Sequence, residues 1–273
     1  MNNFSRDNNG IWVTGNQNYD VKYWASSHQN NEAVEDEGSY WFAHRNNIIY
    51  YIINEFKFID NYADIGGGNG FQILALKNRI PDAKYYLIEP GYDGCLIARK
   101  RGLDLVYNCT FQEFDFCQAG IHGFGLFDVL EHIPDDAAFL NALYAAMPPD
   151  SYLYITVPAY QFLWNDVDHW GQHQRRYDKG SLKALVDRTK FTVSYFSYFF
   201  TYLVVPTYLL RTLPYQVFGT RSHESVNKAE PGLHKPNPII SSVIEFFNSR
   251  EIKRIKNKGT IGHGASCILV LKK

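Results

Sequence analysis

The chain lacks several features that would place it in a specialised class of protein. Its 273 residues include four cysteines and no Cys-x-x-Cys pair, which argues against a zinc knuckle or disulfide framework. The formal net charge is −1 without a long block of like charge, so no nucleic-acid partner is expected. No apolar run follows a basic start, so no signal peptide is expected. The scattered cysteines favour a reducing, cytoplasmic location.

Apolar and aromatic residues are plentiful. Hydrophobic residues make up 45% of the chain and charged residues 20%, so a packed core is expected and global disorder is not. Aromatic residues reach 16%, with 20 Tyr and 19 Phe. Many of these rings will fill the core, and the excess favours an aromatic-lined pocket for a small molecule.

Short apolar strands alternate with helical patterns along most of the chain. Strands are predicted at 62–65, 84–89, 103–107, 124–130, 152–157, 191–199 and 265–271. Helices are predicted at 38–57, 71–78, 93–101, 135–147, 179–188 and 239–256. Repeated strand–helix units of this length predict an α/β protein with a doubly wound, mostly parallel, Rossmann-like sheet.

We divide the chain into four segments: an N-terminal arm (1–37), a core (38–200), a helical insertion or lid (201–262), and a final core strand (263–273). The apolar run at 195–213 is nearly long enough to span a bilayer, which takes about 20 residues. Pro206 and Arg211 weaken that interpretation, so a buried strand leading into a core or lid helix is favoured, with a break at Pro206. Membrane contact is the weaker alternative, supported by the basic end of the following helix.

A glycine cluster follows the first predicted core strand, at Asp64-Ile-Gly66-Gly67-Gly68-Asn69-Gly70. In an open parallel sheet, ligands bind beyond the carboxyl ends of the strands near the point where strand order reverses. A dinucleotide site needs a third glycine where this chain has Phe71. The Asp64 carboxylate would repel a diphosphate and suits a cationic ligand with N–H donors. Glu89 ends the next strand and suits ribose hydroxyls, which NAD and S-adenosylmethionine share.

Three stretches together resemble class I S-adenosylmethionine-dependent methyltransferases, in the bacterial small-molecule branch. They are the glycine loop, Tyr-Leu-Ile-Glu89-Pro90, and Phe127-Asp-Val-Leu-Glu-His-Ile-Pro-Asp135. The resemblance implies a seven-stranded sheet whose last strand is antiparallel and inserted next to the sixth. It also implies S-adenosylmethionine as the cofactor.

The resemblance assigns roles by position. Cofactor contacts are implied for Arg45, Asp64, Gly66, Gly67, Gly68, Asn69, Gly70, Glu89, Pro90, Thr110, Phe111, Gln112, Asp128, Val129 and Leu130. Arg45 would meet the carboxylate of the cofactor, Thr110 to Gln112 its adenine, and Asp128 to Leu130 its methionine part. The acceptor pocket would include Tyr40, Trp164, Asp168, Arg176 and Tyr177.

Three histidines are candidate general bases. Methyl transfer is an in-line displacement, and a hydroxyl acceptor benefits from a base that titrates near neutrality. His132 follows the fourth strand, while His169 and His173 follow the fifth. The alternatives are a turn-shaping role for His132 and exposed loop positions for the other two. A metal site built from Asp166, Asp168, His169 and His173 is a weaker alternative, and no metal is expected.

The sequence therefore predicts methyl transfer from S-adenosylmethionine to an oxygen or nitrogen of a small-molecule acceptor. Three other functions stay open. They are an NAD-dependent oxidoreductase, a non-catalytic module that binds S-adenosylmethionine, and an enzyme acting on a lipid-linked acceptor. The sequence does not predict the oligomeric state.

Overall fold

The computed structural model describes residues 4–15, 39–56, 60–222 and 238–273. Within these ranges the strands form one sheet in the order β1-β2-β5-β4-β3-β6-β7-β9-β8. The strands are β1 (Ser5–Arg6), β2 (Trp12–Val13), β3 (Asn61–Ile65), β4 (Lys84–Ile88), β5 (Leu105–Asn108), β6 (Gly123–Phe127), β7 (Tyr152–Pro158), β8 (Thr192–Phe199) and β9 (Ser266–Lys272).

The predicted doubly wound sheet is confirmed. Strands β2 to β7 pair in parallel, and β9 runs antiparallel between β7 and β8, as the resemblance implied. Strand order reverses between β3 and β6, because β4 and β5 extend from one side of β3 while β6 and β7 extend from the other. The loops after β3 and β6 therefore border the crevice where ligands bind in such sheets.

The expected strand count was too low because the arm contributes two short strands. Strand β2 pairs in parallel with β5, and β1 pairs antiparallel with β2, where the sequence predicted only a peripheral arm. Pairing satisfies backbone groups that the edge of β5 would otherwise expose. Strands of two residues are too short to leave a pattern in the sequence. The rest of the arm, residues 16–37, lies outside the described residues.

Helices flank the sheet and close its carboxyl edge. They are α1 (Tyr40–Phe56), α2 (Phe71–Lys77), α3 (Tyr92–Lys100), α4 (Asp136–Ala146), α5 (Asp166–Trp170), α6 (Lys179–Val186), α7 (Val204–Thr207), α8 (Leu213–Phe218) and α9 (Pro238–Lys256). Asp135 caps α4 as expected, since its side chain accepts a 3.0 Å hydrogen bond from the backbone N–H of Ala138.

The predicted break at Pro206 is wrong. A π-helical segment, Tyr208–Thr212, joins α7 to α8 without interruption. Pro206 stands in the first turn of α7, where a backbone N–H has no acceptor within the helix, so proline removes no bond. Residues 223–237 of the predicted insertion lie outside the described residues. Among those described, none of the helices combines the length and hydropathy that a transmembrane span requires.

A buried polar contact fastens α9 to α1 and to the end of β8. His44 Nε2 lies 2.8 Å from Glu251 Oε2, and both side chains are buried. The Glu251 carboxylate also accepts hydrogen bonds from the backbone N–H groups of Phe200 (2.9 Å) and Thr201 (2.7 Å). Burial raises the pKa of Glu251, but the hydrogen bonds from His44 and Thr201 outweigh that effect and lower the pKa overall. The contact fixes α1, and with it Arg45, over the carboxyl edge of the sheet.

Candidate cofactor and acceptor site

The loop after β3 turns tightly around the Asp64 side chain. Gly68 has φ of +57°, a left-handed conformation that residues with a side chain rarely adopt. Gly67 has no room for a side chain, because a Cβ there would lie 2.5 Å from Asp64 Oδ2. The Asp64 carboxyl group therefore lies directly beneath the loop.

Glu89 holds the glycine loop to the start of α3. Its Oε2 accepts a 2.9 Å hydrogen bond from the N–H of Gly68, and its Oε1 accepts one of 2.5 Å from Gly91. Burial raises the pKa of Glu89 to about 7 although both backbone bonds oppose the rise. Each carboxylate oxygen has a second lone-pair site. Glu89 can therefore accept from ribose hydroxyls while it holds the loop.

Asp64 is a buried carboxyl group without a donor. It is 1% exposed, and neither of its side-chain oxygens has a hydrogen-bond partner within the described ranges. Burial raises its pKa to about 7, while the nearby Arg45 guanidinium lowers it and Glu89 adds to the rise. Buried polar groups are normally hydrogen-bonded. A cationic ligand with N–H groups would supply what Asp64 lacks, so the site fits the amino-acid end of S-adenosylmethionine.

Arg45 crosses from α1 to the end of β6. Its guanidinium forms an ion pair with Asp128 and lies 4.7 Å from the centroid of the Trp41 ring. Asp128 also accepts a 3.0 Å hydrogen bond from Thr156 Oγ1. Asp128 has φ of +53°, a strained conformation for a residue that is not glycine. The structure thus places Arg45 at the mouth of the crevice, and its contact with a cofactor carboxylate stays a prediction.

Other predicted cofactor residues border the same crevice. Val129 packs against the loop, since a Cβ on Gly66 would lie 3.1 Å from Val129 Cγ2. Leu130 is fully buried. Asn69 Oδ1 accepts from the N–H of Phe71, and the carbonyl of Pro90 accepts from Asn108 Nδ2.

The predicted adenine side follows β5. Thr110 donates its N–H and its hydroxyl to Glu113 Oε2, at 2.8 and 2.9 Å, so Glu113 caps the short turn there. Phe111 is buried, with its ring centroid 5.0 Å from that of Phe139. Gln112 is exposed. Their contacts with an adenine remain predictions.

Asp168 organises the segment after β7. It is 0% exposed and bonds Asn165 N (2.9 Å), His173 Nδ1 (2.8 Å) and Arg176 Nε (2.7 Å). Burial raises its pKa, yet the bonds with His173 and Arg176 outweigh that effect and lower the pKa overall. Asp168 therefore orients His173 and Arg176. Its own contact with an acceptor stays a prediction.

Two of the three candidate bases meet. The rings of His132 and His173 are 4.7 Å apart and nearly perpendicular. His169 is exposed beside Trp170 and lies outside this pair. The alternative metal set does not form as envisaged, because Asp166 bonds Arg221 and His169 faces solvent.

The sequence interpretation missed one side chain at this position. Glu131 is 1% exposed, and its carboxylate, with one nitrogen each from His132 and His173, forms a group of three atoms within 4.8 Å of one another. The available signal was its place directly before His132 in the fourth-strand stretch.

Three more residues were predicted on the acceptor side: Tyr177, Trp164 and Tyr40. Tyr177 is buried, and its hydroxyl lies 3.0 Å from Asp136 Oδ2 and 3.2 Å from the carbonyl of Leu130, which ties β6 to α4. Trp164 is half-buried after β7. Tyr40 begins α1, where burial raises its pKa and nearby Arg211 lowers it.

Comparison with known proteins agrees with this geometry. A family model described as a methyltransferase domain matches residues 27–195. Phosphoethanolamine N-methyltransferase 2 of Haemonchus contortus, solved with S-adenosyl-L-methionine, is 13% identical with a TM-score of 0.51. That match covers 84% of this chain and 52% of the other, so the chain spans about half the length of that enzyme.

The plantazolicin methyltransferase BpumL, solved with SAH, is 12% identical with a TM-score of 0.52. The match covers 85% of this chain and 84% of BpumL. At these identities the structures show a shared fold. No curated protein sequence matches the chain. The family match decides against the NAD-dependent oxidoreductase that the sequence left open. The chain belongs to the methyltransferase-domain family.

Proposed function

We propose that this protein transfers a methyl group from S-adenosylmethionine to an oxygen or nitrogen of a small-molecule acceptor. The observation that carries the proposal is Asp64, a carboxyl group buried under the glycine loop that has no donor among the described residues. A diphosphate would place like charge beside it. An ammonium group supplies both the charge and the N–H donors.

The chain's own contribution is to bind and align. S-adenosylmethionine supplies a methyl group on a sulfonium, so the leaving group is already present. Glu89 accepts from the ribose hydroxyls, Asp64 accepts from the amino group, and Val129 bounds the methionine part. Alignment of reacting atoms at about 3–3.5 Å can contribute about 7–11 kcal/mol to lowering the barrier.

When the acceptor is a hydroxyl, a histidine removes its proton as a general base. The bond from His173 Nδ1 to Asp168 fixes the ring and leaves Nε2 as the basic nitrogen. Asp168 also stabilises the ring once it is protonated. His132 packs against the same ring, and we assign both rings to the acceptor side of the crevice.

The similar folds support the cofactor part of the proposal. The two neighbouring structures were solved in complex with S-adenosyl-L-methionine and with SAH. One neighbour is named for phosphoethanolamine and the other for plantazolicin, so their acceptors differ widely. The acceptor of this chain therefore has to be inferred from the residues that line its own pocket.

Calorimetric titration with S-adenosylhomocysteine and with NAD tests the cofactor. We expect saturable one-to-one binding of S-adenosylhomocysteine and none of NAD. Incubation with methyl-labelled cofactor and cell extract then tests turnover. Cofactor binding without any labelled product would support the non-catalytic module, and preference for NAD would remove the proposal.

We further propose that the acceptor is presented at an anionic membrane surface. The segment from α7 through the π-helical turn to α8 leaves several large apolar side chains exposed, and so does the first half of α9. They include Val205, Leu209, Leu210, Val217, Phe218, Ile240, Val243 and Phe246. Residues 188–222 contain no Asp or Glu, and the last turn of α9 carries Lys253, Arg254 and Lys256. An apolar face flanked by basic residues suits anionic lipid.

This apolar face continues to the acceptor side of the site. The Tyr208 ring lies 6.3 Å from that of Phe162, and Thr212 Oγ1 donates a 3.0 Å hydrogen bond to the carbonyl of Leu163. Both partners belong to the segment that carries Asp168 and His173. A lipid-linked acceptor bound at a membrane would therefore lie close to the crevice.

A further inference from the structure

The side chains of Glu131, His132 and His173 form a group that the binding of S-adenosylmethionine does not explain. One carboxylate oxygen and two imidazole nitrogens all lie within 4.8 Å of one another. They come from two separate segments, the turn after β6 and the turn after α5, and only the tertiary fold brings them together. One carboxylate and two imidazoles form a ligand set that first-row divalent metals favour.

Glu131 gives independent support. The residue is 1% exposed, and its Oε2 has no hydrogen-bond partner within the described ranges. Neighbouring charges do not fully compensate it, since Arg45 pairs with Asp128, and Arg176 pairs with Asp168. Burial raises the pKa of Glu131 to about 8, and a bound cation beside the two imidazoles would stabilise its ionised form.

His173 has the supporting contact that metal-binding histidines normally have. Its Nδ1 bonds Asp168 Oδ1 at 2.8 Å, and Asp168 is held in turn by Arg176 and the N–H of Asn165. A carboxylate behind Nδ1 fixes the ring and the tautomer, and it leaves the Nε2 lone pair for a metal. Because Arg176 and Asn165 hold Asp168, the His173 ring is already positioned in the ligand-free protein.

We propose that Glu131, His132 and His173 bind one divalent first-row metal ion, such as Mn²⁺, Co²⁺ or Zn²⁺, beside the methyl-transfer site. Three protein ligands leave coordination positions open. An oxygen of the acceptor occupies one of these positions, so this proposal rests on the proposed function. It restricts the acceptor to a hydroxyl or another oxygen donor. Mg²⁺ and Ca²⁺ are disfavoured because they prefer oxygen ligands.

The metal would act as a Lewis acid and as a template. It lowers the pKa of the acceptor hydroxyl, whose proton leaves to water. An oxygen lone pair then forms the bond to the methyl carbon. The carbon–sulfur bond breaks, and its electron pair stays on sulfur, which yields neutral S-adenosylhomocysteine. With the metal bound, His132 and His173 are its ligands, and the role of base described for His173 applies only to the metal-free chain.

Metal binding by the full chain tests the proposal. Protein treated with a chelator is titrated with Co²⁺ by absorption spectroscopy and with Zn²⁺ by calorimetry. We expect one ion per chain, and we expect Glu131→Gln and His173→Gln each to weaken binding more than about 100-fold, beyond the range for losing a supporting contact. His122→Gln is the matched control, because His122 precedes β6 at the opposite edge of the sheet. It should bind like the wild type.

Pulsed electron paramagnetic resonance of Mn²⁺-loaded wild type adds a measurement that needs no variant, and we expect nitrogen coupling from two imidazoles. S-adenosylhomocysteine binding is measured on the same samples. Absence of a stoichiometric ion in the wild type, or unaltered binding by Glu131→Gln, overturns the metal site alone if S-adenosylhomocysteine still binds. If the wild type does not bind S-adenosylhomocysteine at all, the proposed function itself is overturned.

Discussion

Burial of Asp64 destabilises the folded protein, and the same burial prepares the residue to bind a cationic ligand. A carboxyl group buried without a donor disfavours the folded state, so a chain that keeps it must recover that cost on binding. We expect Asp64→Asn to raise the Kd for S-adenosylhomocysteine by about 10–100-fold, through loss of a charge-assisted bond worth about 1–3 kcal/mol. Calorimetry checks this. Asp104→Asn, on an exposed carboxylate, should leave the Kd unchanged.

The raised pKa values of Asp64 and Glu89, each about 7, set a pH dependence for the ligand-free protein. Between about pH 4 and pH 7 the folded state holds protons that the unfolded state has released, so stability falls as pH rises through this window. Urea unfolding from pH 5 to pH 8 measures the slope. Asp64→Asn should flatten it, and a wild-type stability that rises across this window would contradict the assignment.

Histidine roles at the residue scale were only partly predictable. Composition and position identified His132, His169 and His173 as candidates, but sequence spacing does not show which rings meet. His169 lies within α5 and faces solvent, whereas His173 follows the end of α5 and packs against His132. Glu131 was overlooked since a carboxylate in a turn is usually solvated, and only its burial reveals it.

Among the elements, α3 packs directly on the glycine loop. A Cβ on Gly94, in the first turn of α3, would lie 2.9 Å from the carbonyl oxygen of Gly68. Gly94→Ala should therefore displace the loop, and we expect a loss of S-adenosylhomocysteine affinity of about 1–3 kcal/mol, as for overpacking. Gly180→Ala, in the first turn of α6, is the control. Its affinity should match the wild type, and equal effects of both substitutions would argue against the loop contact.

Helix α9 depends on Glu251. Replacing this buried acceptor leaves His44 and two backbone N–H groups with a weaker partner, so we expect Glu251→Gln to lower the free energy of unfolding by about 3–5 kcal/mol. The effect should be seen by urea denaturation near pH 7. Glu245→Gln, on an exposed position of the same helix, should change it little. Similar stability of the two variants would show that α9 is held by apolar packing alone.

Element positions followed closely from periodicity, because buried strands and amphipathic helices have distinct repeats. The prediction failed at Pro206, where proline was read as a helix break although it stands in a first turn. It failed again at β1 and β2, whose pairing depends on an edge of the sheet built from residues almost a hundred positions away. The first miss concerns position within a helix and the second concerns pairing with a distant strand, and local sequence pattern reports neither.

At the scale of the whole molecule, the described part of the helical insertion exposes several large apolar side chains. We expect the protein to sediment with anionic phosphatidylglycerol vesicles and less with neutral ones, and salt should weaken the binding because part of the attraction is electrostatic. Phe218→Asp, at a side chain that is 82% exposed, should reduce binding by about tenfold or more, given the cost of burying a charge in the interface.

Val193→Asp is the matched control, since it also puts a charge on an exposed apolar residue, at the other end of β8. It should bind vesicles like the wild type. Light scattering distinguishes vesicle binding from the competing explanation, in which the apolar face is a dimer interface. A stable dimer that Phe218→Asp dissociates, with no vesicle binding, would assign the apolar face to a second copy of the chain.

The sequence by itself determined the parallel sheet, the glycine loop after the first core strand and the acid that ends the next strand, because these depend on local repeats and on residues a few positions apart. Tertiary structure alone decided that Asp64 lies buried with no donor in the described part of the chain, that Arg45 reaches Asp128, and that Glu131 joins two histidines. Those relations link residues distant along the chain, and their energies depend on burial, which is a property of the packed whole.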